Sequence, residues 1–376
     1  MRIAIVATNA WPIPTPVHTG DVVILDLAIA LDKLGHDVTL FAPSGTRFHK
    51  VRETPCHQGT GHPTPAECEK VTWTHYKHEL LSFDVVHDFS TEKTVAQEML
   101  NLGRENVIST MLGGNWSKPS PAGNVCVWSH AMRQRALRGE TDYWGTGSPD
   151  LAGPPFNPIR DAHVVYGGVD TGFYALPDWS TTPKEDFVLW MNRWHPAKGY
   201  REAIQMAKGY GTRLVMAGLR PEDNRQPYER ACAEEALEMA DGKVEFVWLP
   251  KDDGHHEAKR ELYQRARCLL YPVQFQEPFG LSMVEAMACG TYVVGFGLGS
   301  VPEVVGTRGG IVVTPGNLEA LARACEAPFD DSGVREYAVK NFSREAMARR
   351  YLEQYALVTN GVTWGTVVQT PWMKNP

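Results

Sequence analysis

Val22-Val-Ile-Leu-Asp-Leu-Ala-Ile-Ala-Leu-Asp-Lys-Leu-Gly-His-Asp-Val-Thr-Leu-Phe-Ala42 decides the fold. Its first part is apolar at Val23, Leu27, Ala30, Leu31 and Leu34, the spacing of one helix face. Gly35 stops that helix as its C-terminal cap. Residues 36–42 then read as a short strand. Working outward, residues 3–7 are an earlier buried strand, and the loop 9–20 holds Pro12, Pro14 and Pro16. Strand, glycine-bearing loop, helix and strand make the βαβ opening of a doubly wound parallel sheet.

The same alternation continues. Residues 84–87, 106–110 and 124–128 read as short buried strands, with helices expected at 91–102 and 130–138. Residues 139–160 are turn-forming and sustain neither helix nor strand. One more strand is expected at 163–166, followed by Gly167-Gly-Val-Asp170 and a Pro-containing connector to about residue 185. A second series begins at Phe187-Val-Leu-Trp-Met191. Its strands are expected at 213–217, 244–249, 268–272 and 292–295, with helices at 200–208, 222–240, 256–266 and 282–289. Ser343 is read as the cap of a last helix of about 17 residues. A chain of 376 residues is too long for one ordinary core. The expected domains are 1–168 and 169–345, with 346–376 as a C-terminal helix and tail packing back on the first. Two such sheets in tandem imply a cleft between domains, where ligands bind.

Composition narrows the function classes. No run of about 18 apolar residues occurs, so no bilayer span is expected. The short apolar start reads as a buried strand, not a signal peptide. The formal net charge is -7, and residues 1–165 carry 14 Lys+Arg against 17 Asp+Glu, which speaks against a nucleic-acid or anionic-lipid face. Seven scattered Cys suggest free thiols in a reducing, cytoplasmic compartment. Cys56, His57, His62 and Cys68 cluster, but their spacing matches no usual zinc pattern, and a polar surface loop is the preferred reading.

Chemistry concentrates in two stretches. In Glu277-Pro-Phe-Gly-Leu-Ser-Met-Val-Glu285, Pro278 keeps Glu277 out of a helix and Gly280 leaves room for close backbone approach. A helix starting near Leu281 and Ser282 offers free N–H groups to an anion, with Glu285 on its first turn. Carboxylates there can accept hydrogen bonds from sugar or ribose hydroxyls. Ser282-Met-Val-Glu285 is equally a capping box. The second stretch is Asn192-Arg-Trp-His-Pro-Ala-Lys-Gly199, which follows an expected strand. Its Arg193 fork and Lys198 point charge suit a diphosphate, against the ordinary fate of a solvated loop.

These residues resemble the family-4 retaining glycosyltransferases of the GT-B fold, in which two Rossmann-like domains face a central cleft. Glu277…Glu285 resembles the family's Glu-x7-Glu element, continued by Ala286-Met-Ala-Cys-Gly-Thr291 and Gly299-Ser-Val-Pro-Glu303. Asn192-Arg-x4-Lys-Gly199 resembles its Gly-Arg-x4-Lys-Gly turn. Gly167-Gly-Val-Asp170 resembles its linker strand, and Leu27-Ala-x2-Leu-x3-Gly-His-x-Val38 its first helix and second strand. The resemblance implies that Glu285 holds the ribose of a nucleotide sugar and Glu277 the transferred sugar. It implies that the amides of Phe279, Gly280 and Leu281 approach sugar and phosphate. Arg193 and Lys198 would neutralise the diphosphate leaving group, Gly20 would bring backbone to the phosphates, and residues 248–251 would flank the base. No Asp-x-Asp occurs, so a metal-bridged diphosphate is not expected.

Two departures stand out. The first loop reads His18-Thr-Gly-Asp21 where the family often has Gly-Gly-x-Glu. In Thr110-Met-Leu-Gly113, Leu112 stands where many members carry a His near the reacting sugar. His18 or His87 could fill that role, or each could be a packed or surface histidine.

The expected activity is a metal-independent hexosyltransferase (EC 2.4) with no cofactor. It would move a sugar with retention from a nucleotide diphosphate sugar to a small-molecule or glycan hydroxyl acceptor. UDP-glucose is the favoured donor by family frequency, with GDP-mannose next. A nucleotide-sugar epimerase, a phosphorylase and a non-catalytic nucleotide-sugar binder are the alternatives. Gly295-Phe-Gly-Leu-Gly299 is a weak match to a nicotinamide-binding fingerprint.

Overall fold

The computed structural model describes residues 1–14, 19–57, 62–112, 123–138, 159, 161–178, 180, 182–224, 226–242, 244–252, 254–328 and 330–364. The chain divides into two compact units: residues 1–142, 152–168 and 344–376, and residues 143–151 and 169–343.

In the first unit the order is β1 (Arg2–Val6), α1 (Thr19–Lys33), β2 (Asp37–Pro43), β3 (Val51–Thr54), α2 (Pro65–Leu80), β4 (Val85–Asp88), α3 (Thr94–Asn101), β5 (Val107–Met111), β6 (Val125–Val127), α4 (His130–Arg138) and β7 (His163–Val164). Among the described residues the sheet has seven strands in the order β3-β2-β1-β4-β5-β6-β7, every neighbouring pair parallel. The order reverses between β1 and β4, as in a Rossmann sheet. A core of Ala4, Val6, Phe41, Phe83, Val86 and Val107 lies under helices α2 and α3. Phe41 meets the edges of Tyr76 and Phe83 at 5.3 and 6.0 Å.

The second unit contains β8 (Val188–Met191), α5 (Tyr200–Tyr210), β9 (Leu214–Gly218), α6 (Pro227–Ala240), β10 (Glu245–Trp248), α7 (His255–Arg265), β11 (Cys268–Tyr271), α8 (Leu281–Ala288), β12 (Val293–Phe296), α9 (Val301–Val305), β13 (Gly310–Val313), α10 (Leu318–Cys325) and α11 (Asp331–Phe342). Its parallel sheet, six-stranded among the described residues, runs β10-β9-β8-β11-β12-β13. This repeats the topology of the first sheet, with the reversal between β8 and β11. A short bridge pairs Val169 with Ser343 at the two ends of the unit. Helix α12 (Arg344–Thr359) then packs on α1 in the first unit, where Arg344 pairs with buried Asp26 at 3.1 Å.

Two expectations need correction. Between residues 43 and 83, where neither strand nor helix is expected from the sequence, lie β3 and the sixteen-residue helix α2. The Thr64 side chain accepts the Glu67 N–H while the Glu67 carboxylate accepts from Thr64 N at 2.7 Å, and Pro65 opens the first turn. That start signal is in the sequence, but the helix buries Glu69 and Thr72 beside Cys68 and Trp73, which blurs its apolar period. The helix expected from residue 222 begins instead at Pro227, after a separate 3-10 turn at Pro221–Asp223. All seven cysteines are free thiols. Cys56 donates to the Ala10 carbonyl at 2.9 Å, while Cys68 is fully buried on α2 rather than on a surface loop. Among the described residues no group of three or more His, Cys, Asp or Glu could hold a metal ion, and no helix is long and apolar enough to cross a membrane. Most of residues 139–160 lie outside the described residues.

Candidate functional site

Ligands of doubly wound folds bind outside the carboxyl ends of the strands, where the strand order reverses. In the second unit that point lies between β8 and β11, which pair directly through Val188–Cys268 and Leu189–Leu269. The loop leaving β8 carries Arg193 and Lys198, and the loop leaving β11 carries Glu277. Adjacent parallel strands therefore bring together residues 79 positions apart.

The β8 loop is held from several sides. Trp190 Nε1 donates to the Lys198 carbonyl at 2.9 Å, and Gln274 N donates to Ala197 O at 2.8 Å. His195 caps the short turn Pro196–Lys198, its Nδ1 accepting the Ala197 N–H at 3.0 Å. Burial, then the Arg193 and Lys198 charges, push the His195 imidazole down to about 4, so it is neutral at pH 7. Gly199 has φ +72°, and a Cβ there would stand 1.9 Å from the Pro272 carbonyl oxygen. Only glycine permits both this backbone and this approach to the end of β11.

So aimed, Lys198 Nζ bonds Glu277 Oε2 at 2.9 Å and lies 4.5 Å above the Phe275 ring. Tyr271, the last residue of β11, donates its hydroxyl to the same oxygen at 2.7 Å. Burial first, then the Glu277 charge, push the Tyr271 hydroxyl well above its ordinary value and keep it a donor. Lys198 and Glu277 are both buried, and such a carboxylate is tolerated only with a counter-charge and hydrogen bonds.

Gly280, φ +85°, occupies the position before α8, and a Cβ there would stand 2.4 Å from Met283 Cε. Leu281 opens the helix with its first free N–H groups, and Phe279 is buried edge-on to Phe342 at 6.0 Å. Glu285 is the fifth residue of α8, one turn later than the sequence reading placed it. It closes no capping box. Its Oε2 takes the Lys259 ammonium at 2.7 Å and the Tyr263 hydroxyl at 2.9 Å, both from α7. The capping box that Ser282 and Glu285 could have formed is absent from the start of α8.

Arg193 is placed differently from Lys198. Its guanidinium is half-exposed and lies 3.2 Å from Glu229 on α6. Near the end of β10, Pro250 O meets His255 Nδ1 at 2.8 Å, and Lys251 pairs with Asp223 at 2.9 Å. Burial before all else lowers the His255 imidazole to about 4.

Sequence reasoning missed Lys259, Tyr263 and Tyr271. The first two carried a signal, because His255, Lys259 and Tyr263 recur every four residues on one helix face. Tyr271 read only as the end of a strand.

In the first unit Gly20 lies in the first turn of α1, where a Cβ would meet nothing within 4 Å. Asp21, one residue on, accepts the Thr8 hydroxyl at 2.7 Å, and burial raises its carboxyl to about 6. His87 is a packed histidine. Its Nδ1 meets Tyr355 Oη at 2.8 Å and its Nε2 meets Thr110 Oγ1 at 2.7 Å, while burial and then Lys93 push its pKa well down. His18 lies outside the described residues, and Leu112 directly follows β5.

Residues 177–344 match the family model of the group 1 glycosyl transferases. That span is nearly the whole second unit and includes Arg193, Lys198, Glu277 and Glu285. The O-antigen chain mannosyltransferase B of Escherichia coli is 36% identical over 191 residues, covering 46% of this chain and 46% of that protein. The alpha-maltose-1-phosphate synthase of Mycolicibacterium smegmatis is 28% identical over 233 residues, covering 55% of this chain and 59% of that one. The chain thus spans about half the length of the curated relatives it matches. Whole-chain likeness comes from solved structures. AviGT4, a glycosyltransferase involved in avilamycin A biosynthesis, superposes with a TM-score of 0.69 at 25% identity over 97% of this chain and 99% of that one. Anabaena HepE in complex with UDP and glucose superposes with a TM-score of 0.66 at 15% identity, over 95% and 99% of the two chains. The fold is GT-B.

Proposed function

We propose that this protein is a retaining glycosyltransferase that moves a hexosyl unit from a nucleotide diphosphate sugar to a hydroxyl acceptor. The observation that carries the reading is the pair of buried carboxylates Glu277 and Glu285, each bonded by a lysine and a tyrosine on a single oxygen, around the reversal of the second sheet. Glu285 takes the ribose, Glu277 the transferred sugar, and the amides of Phe279, Gly280 and Leu281 approach sugar and phosphate. Lys198 and Arg193 stabilise the charge that develops on the diphosphate as it leaves. No divalent metal is required on this reading, because the two cations supply that charge. Residues 248–251 flank the base.

Retention follows from a front-face reaction. The acceptor oxygen bonds the anomeric carbon on the face from which the diphosphate departs, and the hydroxyl proton passes to the departing phosphate oxygen. Glu277 and Glu285 are not the nucleophile and acid of a retaining glycosidase, whose carboxylates share one glycosidic bond; here each has its own part of the donor. A glycosyl group trapped on any side chain would refute this mechanism. The donor is UDP-glucose, with GDP-mannose second, and the acceptor a small molecule or glycan.

Arg193→Ala tests the assignment; because it also takes the cation from the largely buried Glu229, its melting temperature is measured alongside transfer. Transfer measured with each nucleotide sugar should nearly vanish at temperatures where the variant is still folded. Transfer at the parent rate removes Arg193 from the leaving-group site. Product analysis with and without acceptor separates a transferase from an epimerase of the same fold.

A further inference from the structure

Glu285 receives two donors from one helix face. Lys259 and Tyr263 lie four residues apart on α7, and both bond Oε2, at 2.7 and 2.9 Å. All three side chains are buried. Oε1 takes part in neither bond. Glu277 repeats the construction on the neighbouring strand end, where Lys198 and Tyr271 both bond Oε2. Two donors on one oxygen pin that oxygen and leave the lone pairs of the other to a further donor. Burial, and then the Glu285 charge, push the Tyr263 hydroxyl well above its ordinary value, so it remains a donor. One turn earlier on the same face, His255 meets the Pro250 carbonyl at 2.8 Å. One face of α7 therefore holds both the loop after β10 and the carboxylate of α8.

We infer that Lys259 and Tyr263 are positioning residues which turn Glu285 Oε1 toward a vicinal diol, so that the site selects ribonucleotides over deoxyribonucleotides. The inference rests on the donor reading above, in which Glu285 takes the ribose, and adds to it the two residues that aim that carboxylate. Neither Lys259 nor Tyr263 touches the diol. Both act through Glu285.

The test is calorimetric affinity for UDP, GDP and their 2′-deoxy forms, measured on the parent, Tyr263→Phe, Lys259→Met and Glu285→Gln. The parent should prefer the ribo form. Tyr263→Phe and Lys259→Met should each lose about tenfold in ribonucleotide affinity, with the ribo-over-deoxy preference falling toward one. In transfer assays the loss should fall on donor KM rather than kcat. In the Glu285→Gln background, Lys259→Met should add no further loss. A purely structural role predicts a lower melting temperature with the ribo preference intact, and that result overturns the inference. Tyr263→Phe removes one oxygen and settles the question alone if Lys259→Met does not fold. A parent protein that binds neither diphosphate removes the donor reading and this inference with it. A parent with a ribo preference that both variants keep overturns this inference alone.

Discussion

Replacing Lys198 by Met separates the structural and chemical duties of one charge. The ammonium lies 2.9 Å from Glu277, and both side chains are almost wholly enclosed, at 10% and 5% exposure. Removing one member of a buried ion pair leaves the other uncompensated, at a cost of about 3–5 kcal/mol. For a unit of this size that corresponds to a fall of roughly 6–20 °C in melting temperature. Replacing Glu277 by Gln in the same chain removes the stranded charge while leaving an oxygen for the Tyr271 hydroxyl. The double variant should therefore be more stable than Lys198→Met alone, a positive coupling measurable by a double-mutant cycle in thermal unfolding. Transfer should behave oppositely. Loss of a cation at the leaving group lowers kcat by about 10²–10³, and the second substitution cannot restore it. Two results would refute the reasoning. Additive destabilisation in the double variant would show that the pair is not coupled, and Lys198→Met transferring sugar within a few-fold of the parent would show that its charge does not serve the diphosphate.

Other expectations follow from the same geometry. Gly199→Ala and Gly211→Ala both force φ +72°, but only at Gly199 would the new Cβ strike a carbonyl oxygen, at 1.9 Å. Gly211→Ala should lose about 1 kcal/mol and Gly199→Ala clearly more, by denaturant unfolding, and equal losses would show that the β8 loop is not locked against Pro272. Asp21 has a folded pKa of about 6 against an ordinary 3.8, so its contribution to stability is full below 3.8 and is lost as pH rises through 6. Asp21→Asn should therefore gain on the parent between pH 4 and 7, by about 3 kcal/mol at most, and a pH-independent difference would count against a buried, raised carboxyl. The Glu285→Ala variant should show a smaller donor-induced rise in melting temperature than the parent, and an undiminished rise would take Glu285 out of the nucleotide site.

Much of the fold was legible along the chain. The apolar spacing from Val23 to Leu34 and the stop at Gly35 marked α1, because helix face and cap are local properties. The alternation from Phe187 to Gly295 marked the second sheet for the same reason. Helix α2 escaped, although Thr64 and Glu67 announced its start, because it buries polar and apolar residues together. Arg193, Lys198, Glu277 and Glu285 are candidates in the sequence because their two spacings together resemble motifs of the family-4 retaining glycosyltransferases; a solvated surface is otherwise the ordinary place for such charges.

What the sequence determined is the residue types and the strand ends that carry them. Which of those charges meet was decided only in three dimensions. Parallel neighbours β8 and β11 bring Lys198 to Glu277, and α7 brings Lys259 and Tyr263 to Glu285, whose spacing with Ser282 had equally allowed a helix cap. His87 shows the same limit, since its neighbours Tyr351 and Tyr355 arrive from a helix more than 260 residues away. Local spacing encodes periodicity and caps, while contact between distant residues depends on sheet order, which no single window of sequence contains.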